Sequence, residues 1–115
     1  MYKKKKWREQ CFEENLEKNQ LVMIVRFRFS EDLKKIDSFS VSQLSRVFGE
    51  LNEIIRYDAS ETEGVNVHEF FINKNKKRFF DKPKNADTVL WCMNRIRENW
   101  REFKHKFELK GKRIT

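Results

Sequence analysis

The chain has 115 residues, 26 of them lysine or arginine and 18 aspartate or glutamate, for a net charge of +8. Hydrophobic residues make up 38%, enough for the core of one domain without the help of disulfides or a structural metal. The longest apolar run, Leu21 to Val25, ends at Arg26, far short of the ~20 residues a membrane span needs. The charge is uneven: residues 1–9 carry +4, residues 73–84 carry +5 and residues 104–115 carry +4, which leaves −5 for the remainder. Such segregation points to a directed field and hence to a charged partner.

Taken in chain order, residues 5–18 read as a helix with two weak stripes, Trp7 with Cys11 and Phe12 with Leu16. Four lysines at its start oppose the helix dipole, so its first residues are expected to fray. Residues 20–29 are the clearest strand. Leu21, Met23, Val25, Phe27 and Phe29 alternate onto one face, and Arg26 and Arg28 turn outward from the other.

Residues 40–57 read as the clearest helix, with Val41, Leu44, Val47, Phe48, Leu51, Ile54 and Ile55 at helical spacing. Ser40 with Gln43 forms a capping box, and Phe39 with Leu44 a hydrophobic staple. Gly49 falls inside this helix, where a close contact with a sheet would account for it. Asp58 to Gly64 is a polar, acidic loop. Val65 to Ile72 reads as a strand, residues 73–76 as a turn and Lys77 to Phe80 as a returning strand. The run Asp81 to Asn85, with Pro83, is a breaker. A last helix spans about Ala86 to Phe107, with Val89, Met93, Ile96, Trp100, Phe103 and Phe107 on one face.

These elements predict an α+β fold: a small antiparallel or mixed sheet with two main helices on one face, in the ferredoxin-like β-α-β-β-α-β order, plus an N-terminal helix. Residues 1–115 are expected to form a single domain, with residues 1–6 and 110–115 loose. Cys11 and Cys92 lie far apart and lack metal-ligand spacing, so they read as reduced thiols of a cytoplasmic protein. The lysine-rich start contains no apolar stretch of the secretory kind.

For function, the clustered cations predict a nucleic-acid-binding protein that acts on phosphates. The expected contacts are Lys74, Lys76, Lys77, Arg78, Lys82 and Lys84 around the hairpin, Arg26 and Arg28 on the strand, and Arg97, Arg101 and Lys104 as a ridge on the last helix. Because Arg97 follows Met93 rather than an acid at i−4, that ridge is expected to be unpaired. Trp91 falls nearly opposite the core stripe, which makes it an anchor for a protein partner or a residue packed under the N-terminal helix. A protein-interaction module is therefore the alternative reading.

Asp58, Glu61, Glu63, His68 and Glu69 are acidic or ligating, but their spacing matches no EF-hand or zinc site. A solvated loop is the expected role, and no metal or cofactor is implied. There is no nucleophile elbow and no phosphate-binding loop. A small ribonuclease-like toxin using His68, Glu69 and Arg78 is the third reading.

Overall fold

The computed structural model describes residues 7–18, 20–32, 35–72 and 76–112. Within them the chain forms six strands and one helix: β1 Trp7–Glu17, β2 Leu21–Ser30, β3 Ile36–Val47, β4 Glu50–Ala59, β5 Asn66–Glu69, β6 Lys77–Phe79 and α1 Ala86–Lys112. The strands lie in sequence order in a single sheet, each antiparallel to the next. The helix crosses one face, over β2, β3 and β4.

This overturns the two-helix ferredoxin-like expectation. The segment read as an N-terminal helix is edge strand β1, and the segment read as a capped helix over 40–57 is most of the β3–β4 hairpin. Ser40 is therefore no N-cap; it pairs with Arg26 on one side and Asp58 on the other. Gly49 is no mid-helix glycine. Val47 pairs with Glu50 across a two-residue loop in which Phe48 has φ 52° and Gly49 φ 81°. Two positive φ values are the type I′ pattern, whose twist matches that of the flanking strands.

The register explains which side chains meet the helix. Val25, Val41, Tyr57 and Val67 form one row across β2 to β5, and Met23, Gln43 and Ile55 form the next. All seven are buried. A bulge between Gln43 and Leu44 inserts one extra residue into β4, and both Ile54 and Ile55 are buried there. From above, Val89, Cys92, Met93, Ile96 and Phe103 close the core, with Phe103 stacked on Phe71 at 5.8 Å.

A buried polar group also bridges sheet and helix. Gln43 is fully buried, and its Nε2 donates to the Trp100 carbonyl and to Ser45 Oγ, both at 3.1 Å. The helix starts where the breaker ends: Asn85 caps it through Oδ1, which accepts from the Thr88 N–H at 2.9 Å. It runs on through Lys112, and Lys110 Nζ donates to the Phe70 carbonyl at 2.6 Å. No helix is long and apolar enough to cross a membrane among the described residues.

Candidate functional site: a polar groove on the open sheet face

Side chains alternate along a strand, so burying one face under α1 sends every second residue to the other. That second face has two central rows. One runs Cys11, Arg26, Ser40, Asp58, Asn66 and Phe79; the other runs Glu13, Ile24, Ser42, Arg56, His68 and Lys77. No helix covers them. The face holds an open groove of about 740 Å³.

Arg26, Arg28, Arg56 and Lys77 all line this groove, with Glu9, Asp58 and Glu63 as its carboxylates, so cations outnumber acids by four to three before His68 is counted. Arg26 is exposed, and its side chain has no ion-pair partner among the described residues. Arg28 contacts Asp37 at 3.5 Å and also reaches Glu61. Lys77 Nζ sits 2.7 Å from Glu63 Oε2. The acidic loop after β4 thus borders the groove and partly neutralises two of its cations. Lys84 holds the same loop through the Ser60 carbonyl at 3.0 Å.

A chain of polar contacts runs across β3, β4 and β5. Ser42 Oγ donates to Glu53 Oε2 at 2.9 Å, and Arg56 Nη1 donates to Glu53 Oε1 at 2.9 Å. Arg56 Nε donates to Asp58 Oδ2, also at 2.9 Å, and that same oxygen lies 3.6 Å from His68 Nε2. The imidazole stacks on Phe70 at 6.0 Å with only 13° between the planes. The Arg56 guanidinium covers the same Phe70 ring at 5.5 Å. Arg56 and His68 are thus held by charge on one side and by an aromatic ring on the other.

Two aromatics flank this face. Trp7 shares the β1 face of Glu9 and Cys11 and lies under the Arg28 guanidinium at 5.7 Å. Phe79, two residues after Lys77, is 58% exposed.

The structure divides the residues expected to bind phosphate. Arg26, Arg28 and Lys77 enter the groove. Arg78 points away, to Glu69 at 3.0 Å and over Phe80. Lys76 is exposed beside it, and Lys74 lies outside the described residues. Arg97, Arg101 and Lys104 belong to α1, in the other layer. The expectation of an unpaired ridge fails at Arg97, which holds Glu14 of β1 through two hydrogen bonds. Arg101 lies over the Trp100 ring at 4.4 Å, and Lys104 is 4.0 Å from Glu108.

Trp91 is half-buried, edge-on to Tyr57 and Phe80, with Lys82 Nζ 4.5 Å above its ring. Burial pushes up the Tyr57 hydroxyl pKa, an effect partly offset by Arg95. Arg56 went unrecognised because the helix reading of 40–57 gave it no shared face with His68, and Asp58, named beside His68, was placed in a solvated loop rather than on a paired strand. The signal that would have found them is the alternation Arg56, Asp58 read against His68 as a paired strand. Among the described residues, no three His, Cys, Asp or Glu side chains gather as metal ligands.

The fold and site define a six-stranded antiparallel meander, closed on one face by a helix and carrying a mixed-charge groove on the other. Residues 2–113 match the family model described as "Domain of unknown function (DUF7718)", and the chain belongs to that family. Comparisons with curated proteins and with solved structures gave no match.

Proposed function

We propose that the protein binds a single nucleic-acid strand along the open face of its sheet. The observation that carries this reading is the convergence of Arg26, Arg28, Arg56 and Lys77 on one groove that the helix leaves uncovered. Such cations neutralise phosphates and release counterions, and Trp7 and Phe79 at the flanks provide rings on which bases stack. The pairs of Arg28 with Glu61 and of Lys77 with Glu63 involve exposed side chains. Pairs of that kind are worth only ~0–1 kcal/mol, so a phosphate displaces the carboxylate at little cost.

A salt titration with single-stranded RNA and DNA tests this. Arg26→Gln should weaken binding on every sequence and make the salt slope shallower by about 0.7. Glu61→Gln with Glu63→Gln should tighten binding. Equal affinity of all three proteins for both strands would remove the groove from the interface, and no binding by the wild type at low salt would end the reading.

A second reading, a protein-interaction module, has one observation in its favour. The β3–β4 turn exposes two large apolar side chains, Phe48 at 68% and Leu51 at 51%. Loss of a captured partner on Phe48→Ser, with nucleic-acid affinity absent, would favour it.

A further inference from the structure

Four of the groove's polar residues do more than offer charge. His68 and Lys77 are register partners on β5 and β6 and so stand side by side on the open face. Arg56 is the partner of His68 on its other side. Asp58 touches both Arg56 and His68. A proton acceptor, an ammonium donor and a guanidinium thus occupy neighbouring positions of one row, in the groove proposed to hold the strand.

We propose that this row is a metal-independent cleavage site for RNA, using the 2′-hydroxyl of the bound strand as nucleophile; the inference rests on strand binding in this groove. The His68 imidazole takes the 2′-hydroxyl proton. The 2′-oxygen forms a bond to phosphorus as the bond from phosphorus to the 5′-oxygen breaks. The departing 5′-oxygen takes a proton from the Lys77 ammonium, and the imidazolium later returns its proton to the Lys77 amine through solvent. Atoms and charge balance without any co-reactant. The products are a 2′,3′-cyclic phosphate and a free 5′-hydroxyl.

The roles of His68 and Arg56 follow from contacts already described, and that of Lys77 from its register beside His68. Nε2 of His68 is turned toward Asp58, which leaves Nδ1 to accept the proton. Arg56 spends Nε and Nη1 on Asp58 and Glu53, and its Nη2 remains for the non-bridging phosphate oxygens as negative charge builds on them. Arg26 lies two strands from Asp58 across Ser40, roughly 10 Å away, a spacing that suits a neighbouring phosphate. Asp58 acts on the reaction through His68 and Arg56 and is a positioning residue.

The test uses a short labelled single-stranded RNA and its all-deoxy counterpart, with chelator present throughout. Wild-type protein should cut the RNA and leave 2′,3′-cyclic phosphate ends, while binding the deoxy strand without cutting it. His68→Gln should lower the cleavage rate at least ~100-fold while binding of the deoxy strand persists. Lys77→Gln should lower it too, and Asp58→Asn should reduce kcat with little change in KM. Binding of RNA without cleavage would overturn the cleavage site and leave strand binding standing. Absence of binding to either strand would overturn both. Cleavage that persists in His68→Gln, that appears only when a divalent metal replaces the chelator, or that leaves 3′-hydroxyl ends would overturn the proposed chemistry.

Discussion

The Arg97 guanidinium holds the Glu14 carboxylate through two hydrogen bonds, from Nε at 2.8 Å and from Nη2 at 2.7 Å, and so joins the helix to the edge strand β1 across 83 positions of sequence. Hydrogen bonding to Arg97 outweighs desolvation and holds the Glu14 carboxyl below the usual glutamate range. The same pairing raises the Arg97 pKa. Glu14→Gln should cost about 1 kcal/mol at neutral pH and low salt. Because the folded pKa is depressed, the contribution is present above the unfolded value near ~4.3 and is lost as pH falls through the folded one. Urea melts should therefore show the gap between wild type and variant closing as the solution is acidified. A gap independent of pH would assign the loss to packing.

The hairpin and helix readings of residues 40–57 give opposite mutational patterns. Ile55 is 1% exposed, so Ile55→Ala should cost about 2–5 kcal/mol. Leu51, on the helical stripe but 51% exposed, should tolerate Ala within ~0.5 kcal/mol. Ser40→Ala should be equally mild, since Ser40 caps no helix. Denaturant melts in which Leu51→Ala costs as much as Ile55→Ala would contradict the strand register.

Phe48 occupies a left-handed backbone position that asparagine tolerates far better, and Asn-Gly is the preferred pair for this turn. Since Phe48 is mostly exposed, Phe48→Asn should raise stability by about 1 kcal/mol. A lower urea midpoint would mean that the ring makes contacts worth more than the strain it imposes.

Cys92 is fully buried, and burial pushes its thiol up to about 12. Cys11 is exposed on the edge strand. A maleimide should modify Cys11 quickly in the native protein and reach Cys92 only after unfolding. Fast native labelling of both would show the helix lifting from the sheet. With the folded thiol pKa raised, Cys92 contributes stability below the unfolded value near ~8.5 and loses it as pH climbs toward the folded one.

Part of this was legible in the sequence. Strand β2 and helix α1 announce themselves because nearly every inward position is apolar. The β3–β4 hairpin does not, because two of its inward positions, Gln43 and Ser45, are polar and fully buried. Their presence breaks the period of two and leaves a chance stripe at helical spacing. The bulge at Ile54 shifts the phase again. Strand β1 is an edge and is rich in glutamate, a composition that discourages pairing with other chains and also resembles an exposed helix. Of the site, Arg26, Arg28 and Lys77 were foreseeable as cations on strands. The grouping of Arg56, Asp58 and His68 was not, since it depends on the hairpin register.

Every strand pairs with the one made just before it, so the sheet can zip up as the chain is synthesised, with short loops to close and little topological search. The cover for its apolar face comes last. At ~5–20 residues per second, translating the 27 residues of α1 takes about 1–5 s. Until the helix docks, Met23, Val25, Val41 and Tyr57 lack the cover they have in the folded protein. The nascent protein therefore passes through a sticky stage whose length the ribosome sets, and synonymous codon changes within the α1 stretch alone should alter its yield without altering the protein.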